Sequence, residues 1–126
     1  MLVNVATGAV CGITHLPYGD MYQEDKLVAT AVAAVQEGMD VAAKAGVKLT
    51  YSDPMDVLEL ARAGFPYDFK PSILQSLEKH RPTEVGVING AVVAQGAKHG
   101  VATPVNETLV ACVTGIERYI REYINK

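Results

Sequence analysis

Four polar side chains stand at the edges of otherwise apolar segments, where a ligand could reach them: Asn4, Ser72, Glu84 and Asn89. A hydroxyl or an amide can hold the oxygen atoms of a small acid, and a glutamate can orient a proton donor. Each residue also has a structural explanation. Ser72 and Thr83 can cap helices, Glu84 can favour a helix N-terminus, and the asparagines can satisfy neighbouring carbonyls. Spacing alone leaves both interpretations open.

The histidines and cysteines show no spacing typical of metal binding or nucleophilic catalysis. His15, His80 and His99 lack the i, i+4 separation of a helical metal-binding pair. Cys11 and Cys112 each lie in an apolar stretch, which predicts that both are reduced, buried and structural. No glycine-rich loop of the GxGxxG or GxxxxGK[ST] type occurs, so the sequence predicts neither a dinucleotide site nor a nucleoside triphosphate site.

The composition is that of one globular domain. The chain has 126 residues, of which 49% are hydrophobic and 20% charged, enough to bury a core. A net charge of −3 without a long Lys/Arg run argues against a nucleic-acid partner. The apolar N-terminal segment lacks a basic start, and every apolar run is interrupted before it could span a membrane. We therefore expect a soluble, cytoplasmic domain spanning residues 1–126.

Apolar residues recur at intervals of three and four, which predicts helices and no confident strand. Gly46 is expected to cap a central helix that begins near Asp25, and Asp53 with Pro54 is typical of a helix N-terminus. The predicted fold is all-α, a compact bundle of about six helices over residues 2–13, 25–45, 53–63, 72–79, 83–99 (from Thr83 or Glu84) and 105–124.

Two details of packing follow from the same pattern. Gly86, Gly90 and Ala94 fall four residues apart in the fifth helix, which predicts a smooth ridge for close helix packing. The last helix is expected to place Cys112 and Tyr123 on its apolar side. Between the third and fourth helices, the aromatic residues and prolines of 65–71 indicate a structured loop.

Two segments resemble the motifs of a known family. Residues 81–90 read RPTEVGVING, and residues 97–106 read AKHGVATPVN. Together they resemble the R-x-T-E-[IV]-x-x-[IL]-N-G and HG[VI]-x-[TV]-P-x-N motifs of the ketopantoate reductase C-terminal domain. Residues 2–4, 17–20 and 72–75 resemble that family's K-L-x-x-N, P-N-G-E and S-M-L-Q segments. The resemblance covers essentially the whole chain.

The resemblance implies the substrate-side domain of an enzyme that reduces a 2-oxo acid, typically 2-dehydropantoate, to a 2-hydroxy acid. NADPH would be bound by an N-terminal Rossmann domain, in cis or in trans, and not by this chain alone. The family's proton-donating lysine falls one position before Met1 and is missing here. By the same resemblance, Asn4 and Ser72 hold substrate oxygens, and Glu84 is the catalytic residue that orients the lysine. An apolar face left exposed would favour a homo-oligomer.

Two departures from the family pattern leave the function open. Gly8 and Tyr18 stand where the family pattern has asparagines that bind substrate, which predicts either a different 2-oxo acid or relaxed selection. The first hypothesis is a reductase substrate domain, favoured by the retained Ser72 and Glu84. The second is a non-catalytic helical module for dimerisation or small-acid binding, derived from that family and favoured by Gly8 and Tyr18.

Overall fold

A computed structural model describes residues 2–125, and within this range the regular elements are helices. The predicted all-α class is confirmed. A π-helical turn, Ile120–Ile124, continues the last of seven helices in the described range. The seven are α1 (Leu2–Thr14), α2 (Tyr18–Tyr22), α3 (Asp25–Lys44), α4 (Pro54–Gly64), α5 (Ser72–Glu78), α6 (Asn89–His99) and α7 (Pro104–Tyr119).

Helix α1 lies at the centre of the bundle. Its residues from Val5 to Gly12 are all buried, which is typical of a helix that is apolar on every side. Helices α3, α4, α5 and α7 pack around it. Because most sides of α1 are covered, its first turn is the part that remains accessible, and Asn4 is exposed there.

The predicted helix boundaries around α3 and α4 are confirmed. Helix α3 buries Ala31 and Val35 on its predicted apolar side, and Gly46 adopts the left-handed conformation with φ of 78°. Asp53 caps α4, since its Oδ1 accepts a hydrogen bond from the backbone N–H of Met55 at 2.9 Å. The segment Tyr18–Tyr22, which lies outside the predicted helices, forms the short helix α2.

The helix predicted from Thr83 or Glu84 is wrong at its start, because α6 begins at Asn89. Residues 84–88 form a turn in which the carbonyl of Glu84 accepts hydrogen bonds from residues 87 and 88 at 3.0 and 3.1 Å. Gly86 and Gly90 each disfavour a helix by about 1 kcal/mol relative to alanine, which lets this turn compete. No atom lies within 4 Å of a Cβ built on Gly86, so the predicted glycine ridge is also wrong.

Close helix packing occurs instead between α1 and α5. A Cβ built on Gly12 would lie 2.7 Å from Cγ2 of Ile73 and 3.2 Å from Cδ1 of Leu77. A Cβ on Gly8 would lie 3.3 Å from Cδ1 of Ile73. The small residues of α1 therefore let α5 approach closely, and this contact places the first residue of α5, Ser72, relative to α1.

The apolar side predicted for the last helix is correct in part. Leu109 and Val113 are buried, but Cys112 is exposed and Tyr123 is 69% exposed, so burial of these two is wrong. At about 100° per residue, Cys112 lies roughly 90° from the centre of the buried stripe, beyond the reach of α1. Cys11 is buried, as predicted. No helix within residues 2–125 is both long and apolar enough to cross a membrane.

Candidate functional site

Two residues assigned to the site by resemblance meet in the structure. Ser72 is exposed at the start of α5, and Glu84 is partly buried in the turn before α6. The Ser72 hydroxyl donates a hydrogen bond to Oε2 of Glu84 at 3.5 Å. This distance is at the limit for a hydrogen bond, so the hydroxyl can turn toward a ligand oxygen at little cost. Ser72 makes no capping bond to its helix, which removes the simplest structural explanation for it.

The backbone on both sides of Glu84 is held in place. The N–H of Thr83 donates to Oε2 of Glu117 at 2.6 Å, and the N–H of Val85 donates to Oγ1 of Thr83 at 3.2 Å. The side chain of Val85 is buried in the core. Thr83 therefore caps a turn and not a helix, and α7 fixes the turn that carries Glu84. Sequence reasoning missed Glu117, because no local pattern links it to the turn.

Asn4 lies at the same end of the α1–α5 pair as Ser72. Gly8 contacts Ile73, and one turn later Gly12 contacts both Ile73 and Leu77, so α1 and α5 run in the same direction here. Asn4 precedes Gly8 by one helical turn on the same side of α1. It consequently lies toward the N-terminal end of α5, which begins at Ser72.

The other asparagines of the two motifs are structural. Asn89 and Asn106 are fully buried, and Nδ2 of Asn89 donates to Oδ1 of Asn106 at 2.9 Å and to the carbonyl of Val5 at 3.2 Å. Nδ2 of Asn106 donates to Oε1 of Glu37 at 2.8 Å and to the carbonyl of Ala34 at 3.0 Å. This network ties α6 and α7 to α1 and α3. Oδ1 of Asn89 has no partner within the described residues.

Glu37 is a key residue that sequence reasoning missed. It is 9% exposed, and its two carboxylate oxygens accept the backbone N–H groups of Val105 and Asn106, each at 2.9 Å. A carboxylate at this place satisfies free N–H groups in the first turn of α7 and complements the helix dipole. Its signal in the sequence was a single charge within the apolar stripe of α3, between Ala34 and Val41.

Gly8 and Tyr18, the two departures from the family pattern, have no free amide to offer a ligand. Gly8 is buried against Ile73. Tyr18 is 3% exposed, and its hydroxyl shares a hydrogen bond of 2.8 Å with that of Thr7. Burial raises the pKa of the Tyr18 phenol above its usual value, although the bond to Thr7 opposes the shift. Gly8 therefore allows close helix packing, and Tyr18 forms a hydrogen bond inside the protein.

The described residues contain no cradle for a dinucleotide. The two glycines with left-handed φ, Gly46 and Gly100, follow the ends of α3 and α6 instead of preceding a helix N-terminus, where a phosphate binds. Within residues 2–125 no three His, Cys, Asp or Glu side chains converge as metal ligands. His15 and His80 are exposed residues with positive φ.

Comparison with known proteins gives consistent matches. The family model described as "Ketopantoate reductase PanE/ApbA C terminal" matches residues 1–117. A curated 2-dehydropantoate 2-reductase from Archaeoglobus fulgidus is 32% identical over 117 residues, which make up 92% of this chain and 38% of the relative. The chain thus spans about two fifths of the length of that relative.

Two solved structures are similar to this fold. A crystal structure of a PanE/ApbA family ketopantoate reductase from Ralstonia eutropha JMP134 has a TM-score of 0.87 and 28% identity, covering 96% of this chain and 40% of that one. A ternary structure of D-mandelate dehydrogenase with NADH and anilino(oxo)acetate has a TM-score of 0.85 and 26% identity, covering 95% of this chain and 66% of that one.

Proposed function

Because this chain belongs to the family of ketopantoate reductase C-terminal domains, we propose that it is the substrate-side domain of an NADPH-dependent reductase. The reaction would convert a 2-oxo acid into a 2-hydroxy acid. The observation that supports this most is the contact between Ser72 and Glu84, which lie in different motifs and meet beside the accessible end of α1. A cytoplasmic location and a homo-oligomer are part of the same proposal.

Ser72, Asn4 and Glu84 each have a distinct role in this proposal. The hydroxyl of Ser72 and the amide of Asn4 donate hydrogen bonds to the oxygens of the substrate and so orient the ketone. The ketone oxygen takes up a proton during reduction, and a lysine directly before Met1 would be the donor. Glu84 would hold that ammonium group in position by charge. NADPH, bound to an N-terminal Rossmann domain, would supply the hydride.

The substrate class has two candidates, and one observation favours the second. 2-Dehydropantoate carries a hydroxyl on its tail, which a protein amide can recognise, but Gly8 and Tyr18 offer no free amide. An aryl 2-oxo acid has no such hydroxyl and needs apolar surroundings. The similarity to D-mandelate dehydrogenase, whose structure holds anilino(oxo)acetate, is consistent with an aryl substrate.

The alternative function is a non-catalytic module for dimerisation or small-acid binding. An apolar groove of about 380 Å³ between α1, α3 and α6 supports association, and Val47 and Leu49 are exposed along it. This alternative and the reductase proposal differ in one respect that can be measured, which is whether the chain supports turnover once a cofactor domain is present.

The test is a two-domain chimera. The N-terminal domain of the Archaeoglobus fulgidus reductase is joined through a lysine to Met1, and NADPH oxidation is followed with 2-dehydropantoate and with phenylglyoxylate. We expect turnover with at least one of the two acids, and a strong rise in KM in the Ser72→Ala chimera. A folded chimera that binds NADPH but reduces neither acid would contradict the reductase proposal and favour the non-catalytic module.

A further inference from the structure

A second cleft lies beside α2, away from Ser72 and Glu84. It has a volume of about 200 Å³ and shares no lining residue with the pair or with Asn4. We call it the aromatic cleft. Its walls come from α2, the end of α4 and the loop that follows α4, and they comprise Tyr18, Gly19, Tyr22, Gln23, Arg62, Phe65, Pro66 and Tyr67.

The loop wall of the aromatic cleft is fastened to α2. The N–H of Tyr18 donates to the carbonyl of Phe69 at 2.9 Å, and the N–H of Gly19 donates to the carbonyl of Tyr67 at 2.7 Å. The ring of Tyr67 lies directly on Gly19, where any side chain would overlap it. The hydroxyl of Tyr67 donates to Oδ1 of Asp20 at 2.9 Å. The cleft is therefore preformed, which lowers the entropic cost of binding.

Aromatic rings line the cleft, and Phe65 and Tyr67 are the ones that remain open to solvent. Tyr18 makes edge-to-face contacts with Phe65 at 5.5 Å and with Tyr22 at 6.0 Å between ring centroids. Phe65 is 42% exposed and Tyr67 is 59% exposed. A further ring that enters the cleft can form the same edge-to-face or offset contacts and cover apolar surface that water now contacts.

Arg62 gives the cleft a positive charge that forms no salt bridge within residues 2–125. Its guanidinium carbon lies 5.5 Å from the ring centroid of Tyr22. Among residues 2–125, no carboxylate oxygen is within 4.0 Å of the Arg62 side chain. Stacking on a ring occupies the face of a guanidinium and leaves its N–H edge free, and that edge matches the two oxygens of a carboxylate.

The volume limits the size of the ligand. An apolar cavity of about 150 Å³ holds one benzene ring, whereas drug-sized ligands occupy about 300–1,000 Å³. With about 200 Å³, the aromatic cleft has room for one ring and a small substituent. We propose that the aromatic cleft binds a small acid made of one aromatic ring and one carboxylate, with the ring among Tyr18, Phe65 and Tyr67 and the carboxylate on Arg62. Its lining includes Tyr18 but not Asn4, Ser72 or Glu84, so benzoate binding at this cleft can be measured separately from reductase turnover.

Binding is tested on the 126-residue chain with benzoate as the probe. Titrations are followed by ¹H–¹⁵N NMR, with acetate as a charge-only probe and benzyl alcohol as a ring-only probe. We expect saturable shifts at residues that line the aromatic cleft with benzoate, and binding at least about tenfold weaker with either control probe. Equal affinity for acetate and benzoate, or shifts centred on Ser72 and Glu84, would overturn the proposal.

Two arginine variants complete the test. Arg62→Gln is expected to weaken benzoate binding by about tenfold, because it removes the charge-assisted contact with the carboxylate at an exposed position on α4. Arg118→Gln is the control. Arg118 is also exposed but lies on α7, so its substitution should leave benzoate binding unchanged. Benzoate affinity that is the same in wild type and Arg62→Gln would overturn the proposal. NMR shifts at the residues of the aromatic cleft that depend on protein concentration alone would also overturn the proposal, because a second copy of the chain would then occupy the cleft.

Discussion

Glu37 and Asn106 are joined by two hydrogen bonds to the same carboxylate oxygen, one from the backbone N–H of Asn106 at 2.9 Å and one from its side-chain amide at 2.8 Å. The pair connects the middle of α3 to the first turn of α7. Asn106 belongs to the second motif, whose resemblance to the family first suggested function. The pair shows that Asn106, one residue of this motif, maintains the fold.

Glu37→Gln should destabilise the domain by about 2–4 kcal/mol. The amide keeps one acceptor oxygen, so at least one N–H in the first turn of α7 loses its partner, and the new NH₂ group faces other donors. The helix dipole also loses a favourable charge. Chemical denaturation of both proteins measures the difference in the free energy of unfolding.

Glu107→Gln is the matched control, because Glu107 is also in the first turn of α7 but exposed to solvent. Its substitution should cost no more than about 1 kcal/mol. Similar decreases in the free energy of unfolding for the two variants would contradict the stabilising role of the buried network around Glu37.

Gly96→Ala should destabilise the domain by about 1–3 kcal/mol through overpacking. A Cβ at this position would lie 2.7 Å from Cγ2 of Thr103 and 2.8 Å from the carbonyl oxygen of Val101. Gly115→Ala should instead stabilise the domain by about 0.5–1 kcal/mol, since Gly115 is in α7 and no atom lies within 4 Å of its added Cβ. Thermal unfolding of both variants shows whether each substitution raises or lowers the stability. A stabilised Gly96→Ala variant would contradict the close packing of Gly96 against Val101 and Thr103.

Only one cysteine should react quickly with a thiol reagent in the folded protein. Cys112 is exposed, whereas burial raises the pKa of the Cys11 thiol to about 12. The thiolate is the reactive form, and it is scarce at Cys11 at neutral pH. Titration with Ellman's reagent should give one equivalent in buffer and two in guanidinium chloride. Rapid reaction of two equivalents in buffer would show that Cys11 is not enclosed by the bundle.

The chain alone should neither bind NADPH nor reduce 2-dehydropantoate, and it should form a homodimer or a larger assembly. The first expectation follows from the absence of a glycine-rich phosphate loop in the sequence, and the second from the apolar groove beside Val47 and Leu49. Fluorescence titration with NADPH and light scattering measure the two properties. Turnover by the chain alone, or a strictly monomeric mass at high concentration, would contradict the corresponding expectation.

The sequence was sufficient for features that depend on local chemistry. Asp53 and Gly46 are a helix cap and a left-handed terminus because capping depends on a few adjacent residues. The start of α6 was not predictable, since Asn89 is held by hydrogen bonds to Val5 of α1 and Asn106 of α7 that no local pattern contains. Glu117 was missed for the same reason, because its role depends on a backbone N–H far away in the sequence.

The proposed role of Glu84 is tested most directly by kcat of the Glu84→Gln variant in the two-domain chimera that carries a lysine before Met1. The amide keeps the shape of Glu84 and an acceptor for Ser72 but removes the charge that would hold the lysine. We expect kcat to fall by about 10²-fold, with the free energy of unfolding changed by no more than about 1 kcal/mol. An active chimera whose kcat is indifferent to Glu84→Gln would contradict the role of the Ser72–Glu84 pair, and with it the functional site proposed for this domain.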